Sequence, residues 1–278
     1  MKNPRAAPVT LTLAKSLIAL AAPLVVACSD GKQPAAAHCG AGSPVSGVVA
    51  ANVGADTGGS ARFVPEGLEV SARPGLNSVF NVIALTLRPG SNGAELYAAV
   101  RNDGDVLACN ASFSVELRGQ DDQILGAGIS GLMSRHFYRL TDGSDTVAGC
   151  VAPGEVTKVA IQSLSLDASI ADVQRAVYQS NYWANLGVAA IEGVSVTGVH
   201  AVTRSSGVAY TGTLVNGLDL PLSDPTVAVF PVNALGRPLG VAYGGSADVL
   251  APCGTWDFET SPVGEAGVGY DAYPMGGP

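Results

Sequence analysis

Ser112-Phe-Ser-Val-Glu-Leu-Arg-Gly-Gln-Asp-Asp-Gln-Ile-Leu-Gly126 aligns without gaps to Thr226-Val-Ala-Val-Phe-Pro-Val-Asn-Ala-Leu-Gly-Arg-Pro-Leu-Gly240, 114 positions later. Phe113 faces Val227, Val115 faces Val229, Leu125 faces Leu239 and Gly126 faces Gly240. Upstream, Glu95-Leu-Tyr97 through Asn102 meets Val208-Ala-Tyr210 through Asn216. Downstream, Ala152-Pro153 matches Ala251-Pro252, and Val177 through Tyr182 matches Val268 through Tyr273. Four matches in the same order are the signature of an internal duplication.

Each copy reads as antiparallel β-structure. Val82–Arg88, Ser112–Leu117, Val194–His200 and Thr226–Val232 alternate apolar and polar residues, as half-buried strands do. Pro89-Gly, Asn102-Asp-Gly, Asp142-Gly, Pro153-Gly and Asn216-Gly supply turns between them. Ser169-Ile-Ala-Asp172 has the form of a capping box, so a short helical turn is expected near 169–173, followed by a strand over about 175–183. Some seven short strands per ~100 residues point to an all-β fold of two tandem immunoglobulin-like β-sandwiches. The expected boundaries are a signal peptide over 1–27, a flexible tether over 28–60, a first sandwich over 61–190 and a second over 191–278. The first copy carries an insertion at about 127–148: 25 residues separate Gly126 from Ala152, against 10 between Gly240 and Ala251.

The beginning of the 278-residue chain reads as an export signal. Lys2, Arg5 and Lys15 precede the apolar run Leu17–Ala27, which is too short to span a bilayer. Val25-Val26-Ala27-Cys28 resembles a bacterial lipobox, which implies cleavage before Cys28 and diacylation of its thiol. Ser29 after that cysteine resembles the outer-membrane sorting pattern, which places the chain in the cell envelope. The five cysteines agree: Cys28, if acylated, leaves Cys39, Cys109, Cys150 and Cys253, an even number for an oxidising compartment. Beyond position 27 the chain holds 12 basic and 23 acidic residues, a balance that argues against nucleic-acid binding.

Val229-Phe230-Pro-Val-Asn-Ala-Leu-Gly236-Arg-Pro-Leu239 and Val151-Ala-Pro153-Gly154-Glu155 are similar to the FxLYD-type and related immunoglobulin-like domains of bacterial lipoproteins. The first copy departs from that pattern, with Val115-Glu-Leu-Arg118 in place of the aromatic strand and no glycine at Asp122. The likeness implies a sandwich fold and an envelope location, and nothing about chemistry.

No catalytic or metal-binding motif stands out. His38, His136 and His200 share no ligand spacing, and no serine lies in Gly-x-Ser-x-Gly. Asp103/Asp105, Asp121/Asp122 and Asp142/Asp145 read as turn residues, without an EF-hand pattern. No catalytic residue, metal or cofactor is expected. The insertion holds a basic-aromatic cluster, Arg135, His136, Phe137, Tyr138 and Arg139, which is either a contact loop for an envelope partner or a long hairpin whose aromatics cap the core. Trp183, Tyr182 and Trp256 could alternatively meet a glycan, although core packing is the commoner explanation for aromatics on strands or loop edges.

Four cysteines permit three pairings. In the expected fold, Cys109 lies in the loop before Ser112 and Cys150 just ahead of Pro153-Gly154, at the same end of one sandwich. The expected bond is therefore Cys109–Cys150. Cys39 and Cys253 either pair with each other or remain free.

Overall fold

The computed structural model describes residues 65–74, 79–91, 93–140, 147–184, 188–191, 194–246 and 248–277. The expected signal peptide, most of the expected tether, and Cys28, His38, Cys39, Asp142 and Asp145 lie outside them.

The described residues form β-strands with two short 3-10 turns. The first ten strands are β1 (Glu69–Ala72), β2 (Phe80–Gly90), β3 (Gly93–Asn102), β4 (Ala108–Arg118), β5 (Ile124–Gly131), β6 (His136–Leu140), β7 (Val147–Val151), β8 (Val156–Leu166), β9 (Arg175–Ala184) and β10 (Val188–Ile191). The remaining six are β11 (Val194–Arg204), β12 (Gly207–Asn216), β13 (Ser223–Val232), β14 (Ala242–Gly245), β15 (Thr255–Glu259) and β16 (Gly269–Gly277). The expected helical turn is the 3-10 turn Ile170–Asp172, capped by Ser169 and Asp172 in a reciprocal box, and β9 follows it as expected.

In the first half, β2-β3-β8 and β5-β4-β9-β1 are two faces of one sheet that folds over on itself. The fold occurs at the end of β8, where Leu164 still pairs with Ala94 of β3 while Ser165 and Leu166 pair with Ala127 and Gly126 of β5. Leu85, Leu96 and Val159 from one face meet Phe113, Leu117 and Tyr178 from the other, and burial of this apolar surface is the main force holding the layers together. The second half has two three-stranded sheets, β11-β12-β15 and β14-β13-β16, around Tyr210, Leu214, Val229 and Phe258.

The ladders of the halves superpose in register. Val82 pairs with Val100, and Val196 with Leu214, 114 positions on. The Ala94–Leu164 pair recurs as the Val208–Val263 bridge. β4 bulges at Asn110 and β13 at Asp224, two residues 114 apart with left-handed φ of 46° and 48°. This register corrects two of the sequence matches. The counterpart of Tyr210 is Leu96 rather than Tyr97, and Tyr178 of β9 corresponds to Ala272 of β16, three positions from the sequence alignment. A third correction concerns Pro89-Gly90, expected as a turn. Both pair in the β2–β3 ladder, with Ala94 and Gly93, and β2 is an edge strand, where a proline costs no ladder bond.

The sheets stack in four layers. The outer side of β3 and β8 presents Tyr97 and Ala160 to Ala228 and Phe230 of β13, to Tyr273 of β16 and to Val241 just before β14, with Met133 in the same cluster. Strand β13 is therefore buried on both faces, with Val227 and Val229 in its own core and Ala228 and Phe230 at the junction.

Candidate functional site

The expected insertion is the β6–β7 hairpin, and it extends the first half toward the second. β7 pairs with β4 through Ala108–Val151 and Cys109–Cys150, and β10, on the path between the halves, pairs with β6. Cys109 and Cys150 form a disulfide. Their setting differs from the loops expected: they are opposed residues on paired strands, so the bond clamps the hairpin to β4.

Arg135 and Phe137 of the contact-loop candidate turn into the molecule. Phe137 is only 9% exposed and belongs to the core of the second half, with Val194, Tyr210 and Leu214. Arg135 donates to Asp271 Oδ1 at 2.6 Å, and its guanidinium lies 5.1 Å from the Tyr273 ring centroid. His136 is exposed. The backbone of Tyr138 and Arg139 lies in β6, and their side chains are outside the description.

Asp271, itself partly exposed, is the centre of a polar cluster that includes a buried lysine. Its Oδ2 meets Lys158 Nζ at 2.9 Å, and the Lys158 side chain is 4% exposed. Burial pushes the Asp271 carboxyl up, but Lys158 and Arg135 outweigh that effect and hold it below the usual carboxylate range. Burial pushes the Tyr273 hydroxyl up, with Arg135 partly opposing it. A buried lysine is tolerable only with such a partner, because an unpaired charge in a low-dielectric interior is costly. Beside this cluster runs a polar rim. Thr86 Oγ1 donates to the Pro238 carbonyl at 2.6 Å and Arg88 Nη1 to the Leu239 carbonyl at 2.8 Å. Tyr97 donates to Glu95 Oε2, and burial together with that bond pushes its hydroxyl up to about 12.

Two faces of the stack look outward. The outer side of β5-β4-β9 carries Ser112, Ser114, Glu116 and Arg118 along β4, with Gln179 and Asn181 beside them. Arg73 bonds both Gln179 and Glu116 across it. Three large apolar residues interrupt this polar surface, Ile124 at 53% exposure, Ile129 at 67% and Trp183 at 58%. The other two aromatics considered for ligand contact pack inward: Tyr182 stands edge-on to Phe80, and Trp256 is half-buried against Phe258. The outer side of β11-β12-β15 bears Thr211, Thr213, Asp257 and Glu259, with His200 held between the Gly198 carbonyl and Thr211.

The remaining candidates have structural settings. Asp121 and Asp122 sit in left-handed turn conformations, and Asp122 is bonded by Arg118 and Arg175. Asp103 is paired with Arg101. Cys253 is exposed, disulfide-bonded and left-handed, with φ 59°. Lys158 and Asp271 were invisible as a pair in the sequence, since each looks like an ordinary charge on an alternating strand. Asn102 and Asn216, by contrast, were aligned by the duplication.

No family model and no curated protein matches the chain. Among solved structures, the crystal structure of red sea bream transglutaminase matches over 72% of this chain and 31% of that one, at 9% identity and a TM-score of 0.19. The chain thus spans about a third of that enzyme's length, and a likeness this slight carries no argument about fold or activity.

Proposed function

We propose that the chain is a lipid-anchored protein of the bacterial envelope, at the outer membrane, presenting two tandem immunoglobulin-like sandwiches as a non-catalytic interaction or scaffold module. The boundaries proposed are 61–190 and 191–278, after a signal peptide and a tether. The cysteines carry this reading. Cys109 and Cys150 are bonded to each other and Cys253 is also in a disulfide, so an intramolecular pairing leaves one of Cys28 and Cys39 over. A lipobox ending at Cys28 supplies the use for it. The recurring ladder, with equivalent bulges at Asn110 and Asp224, supports the tandem arrangement. Mass spectrometry of the mature N-terminus tests the anchor: diacylglycerol on Cys28 is expected, and Cys28→Ser should release the protein from membranes. A soluble mature form in the native host would refute the reading.

A second reading, glycan binding, is favoured by Trp183, an exposed indole at the margin of a flat face rich in hydroxyl and amide groups. An indole offers a stacking surface that hydroxyls and amides complement with hydrogen bonds. Sedimentation with insoluble envelope polysaccharide tests it. Wild-type protein should co-sediment and Trp183→Ala should not; equal behaviour of the two removes this reading.

A further inference from the structure

A relay of side chains on the outer face of the first half has a direction that chemistry forces. Arg73 is held by Glu116 at 3.1 Å and donates to Gln179 Oε1 at 3.3 Å. A guanidinium only donates, so this contact fixes the carboxamide of Gln179. Its Nε2 is then the donor to Asn181 Oδ1, again at 3.3 Å. Asn181 therefore accepts from its own strand and turns Nδ2 outward, a donor without a partner among the described residues. Trp183 stands two positions further along β9, on the same face, with its indole 58% exposed. The strand beneath the indole is covalently held: Trp183 is the register partner of Cys109, which is bonded to Cys150.

We infer that Trp183 and Asn181 form a subsite for a neutral, β-linked glycan of gluco configuration, with Gln179 and Arg73 as positioning residues. The inference rests on the glycan reading and narrows it to a sugar class. An indole takes the flat C–H face of a pyranose, and that face is unbroken when the ring hydroxyls are equatorial. The Asn181 donor beside it requires an acceptor at the ring edge, which a hydroxyl or an acetamide carbonyl supplies. Neutrality follows from the charges. Asn181 and Ser112, the nearest ladder pair, are uncharged. The arginines of this face are already matched, Arg73 with Glu116, Arg118 with Glu116 and Asp122, and Arg175 with Asp122 and Glu69. An acidic sugar would need a cation that none of them offers. The β-linkage keeps successive rings extended along a flat sheet. A site without walls binds weakly, with a dissociation constant near ~1 mM.

The two tryptophans are Trp183 and Trp256, and Trp256 is half-buried against Phe258, so emission from a Trp256→Phe variant reports Trp183 alone. Titration with cellotetraose or chitotetraose should change that emission saturably, and the tighter of the two identifies the acceptor as hydroxyl or acetamide. A β-linked galactose tetramer, which carries an axial hydroxyl, should bind about tenfold more weakly. Calorimetric titration of the unaltered protein should give the same order. Gln179→Glu keeps the bond from Arg73 but cannot donate, so Asn181 turns Nδ2 inward and shows the ligand an acceptor. Its affinity should fall about five- to tenfold, with unchanged melting temperature and unchanged emission at saturation. Unaltered affinity in Gln179→Glu, or equal binding of the galactose tetramer, would overturn the inference. So would the absence of any response to both gluco-configured tetramers. In that case, co-sedimentation with insoluble envelope polysaccharide that still requires Trp183 leaves the glycan reading standing without this sugar class, and its absence removes both.

Discussion

Asn102 and Asn216, 114 positions apart, make corresponding hydrogen bonds in the two halves, with one further acceptor at Asn216. Asn102 Nδ2 donates to the Val106 and Val151 carbonyls, and its Oδ1 accepts from Gly104 N–H. Asn216 Nδ2 donates to Leu220, Leu250 and Ala251, and its Oδ1 accepts from Leu218 N–H. Each fully buried amide ties the end of one strand to the turn where Gly154 or Cys253 sits. Backbone carbonyls at a buried corner need donors, and one side chain supplies several. Asn102→Ala and Asn216→Ala should each cost roughly 2–4 kcal/mol, since each strands two or more buried groups. Urea denaturation measures it, and a loss under ~0.5 kcal/mol at either site would show that the corner has no stabilising role.

Asp271→Asn should be more damaging than its near-identical shape suggests, because it leaves Lys158 buried opposite a neutral group. A loss of ~3–5 kcal/mol is expected, whereas joint replacement of all three charges by Arg135→Met, Lys158→Met and Asp271→Leu should recover much of it. The effect depends on pH in a defined direction. A carboxyl held below its unfolded value near ~3.9 contributes stability above that pH and loses it as the pH falls through the folded value. Wild-type protein should therefore lose stability on acidification below about pH 4, and Asp271→Asn should show a shallower acid limb in pH-dependent melting.

Phe137→Ser and His136→Ser, neighbours on β6, should separate sharply. The first empties a site in the second half's core and should cost ~3–5 kcal/mol; the second alters an exposed side chain and should stay within about ±0.5. Limited proteolysis should then find Phe137→Ser cut between the halves before either half is degraded. Equal stability of the two variants would show that the hairpin does not brace the junction.

Cys109 and Cys150 close a loop of 41 residues, for which the chain-entropy view gives a contribution of ~4 kcal/mol. Both are buried, so reductant should reach them only on unfolding. Cys109→Ala with Cys150→Ala should lower the melting temperature, and native protein in reductant should keep its bond for as long as it stays folded. Rapid reduction of folded protein would overturn this.

The duplication, the strand identities and the capped turn at Ser169 were legible because each depends on local pattern. What lies between the halves was not, because it depends on which strand faces meet. One signal was present: Thr226-Val-Ala-Val-Phe-Pro-Val232 is apolar at almost every position, whereas Ser112-Phe-Ser-Val-Glu-Leu-Arg118 alternates. A continuous apolar run marks a strand covered on both sides. The reading of Thr226–Val232 as an alternating, half-buried strand missed that signal, and β13 is covered on both faces; neither Phe137 crossing into the other core nor Lys158 meeting Asp271 carries any periodic signature. The tether, whose sequence is rich in glycine, proline and small residues, offers no pattern that could indicate where Cys39 goes.

The same comparison explains why stacking stops at four layers. Ala228 and Phe230, which make the junction, correspond to Ser114 and Glu116 on the outward face of the first half; Tyr97 and Ala160, which receive them, correspond to Thr211 and Glu259 on the outward face of the second. Polar residues at the ends of a repeated stack keep it from continuing. Ser114→Ala with Glu116→Phe restores two junction-type residues on an open face already bearing exposed Ile129. Its complement on another copy, the β11-β12-β15 face, is a different surface, so the contact is head-to-tail and does not close. Sedimentation velocity should show the double variant forming a concentration-dependent series of oligomers, while Thr211→Tyr with Glu259→Ala in the same chain should strengthen it. A monomeric double variant, with unchanged melting temperature, would show that the polar substitutions at these positions are not what ends the stack.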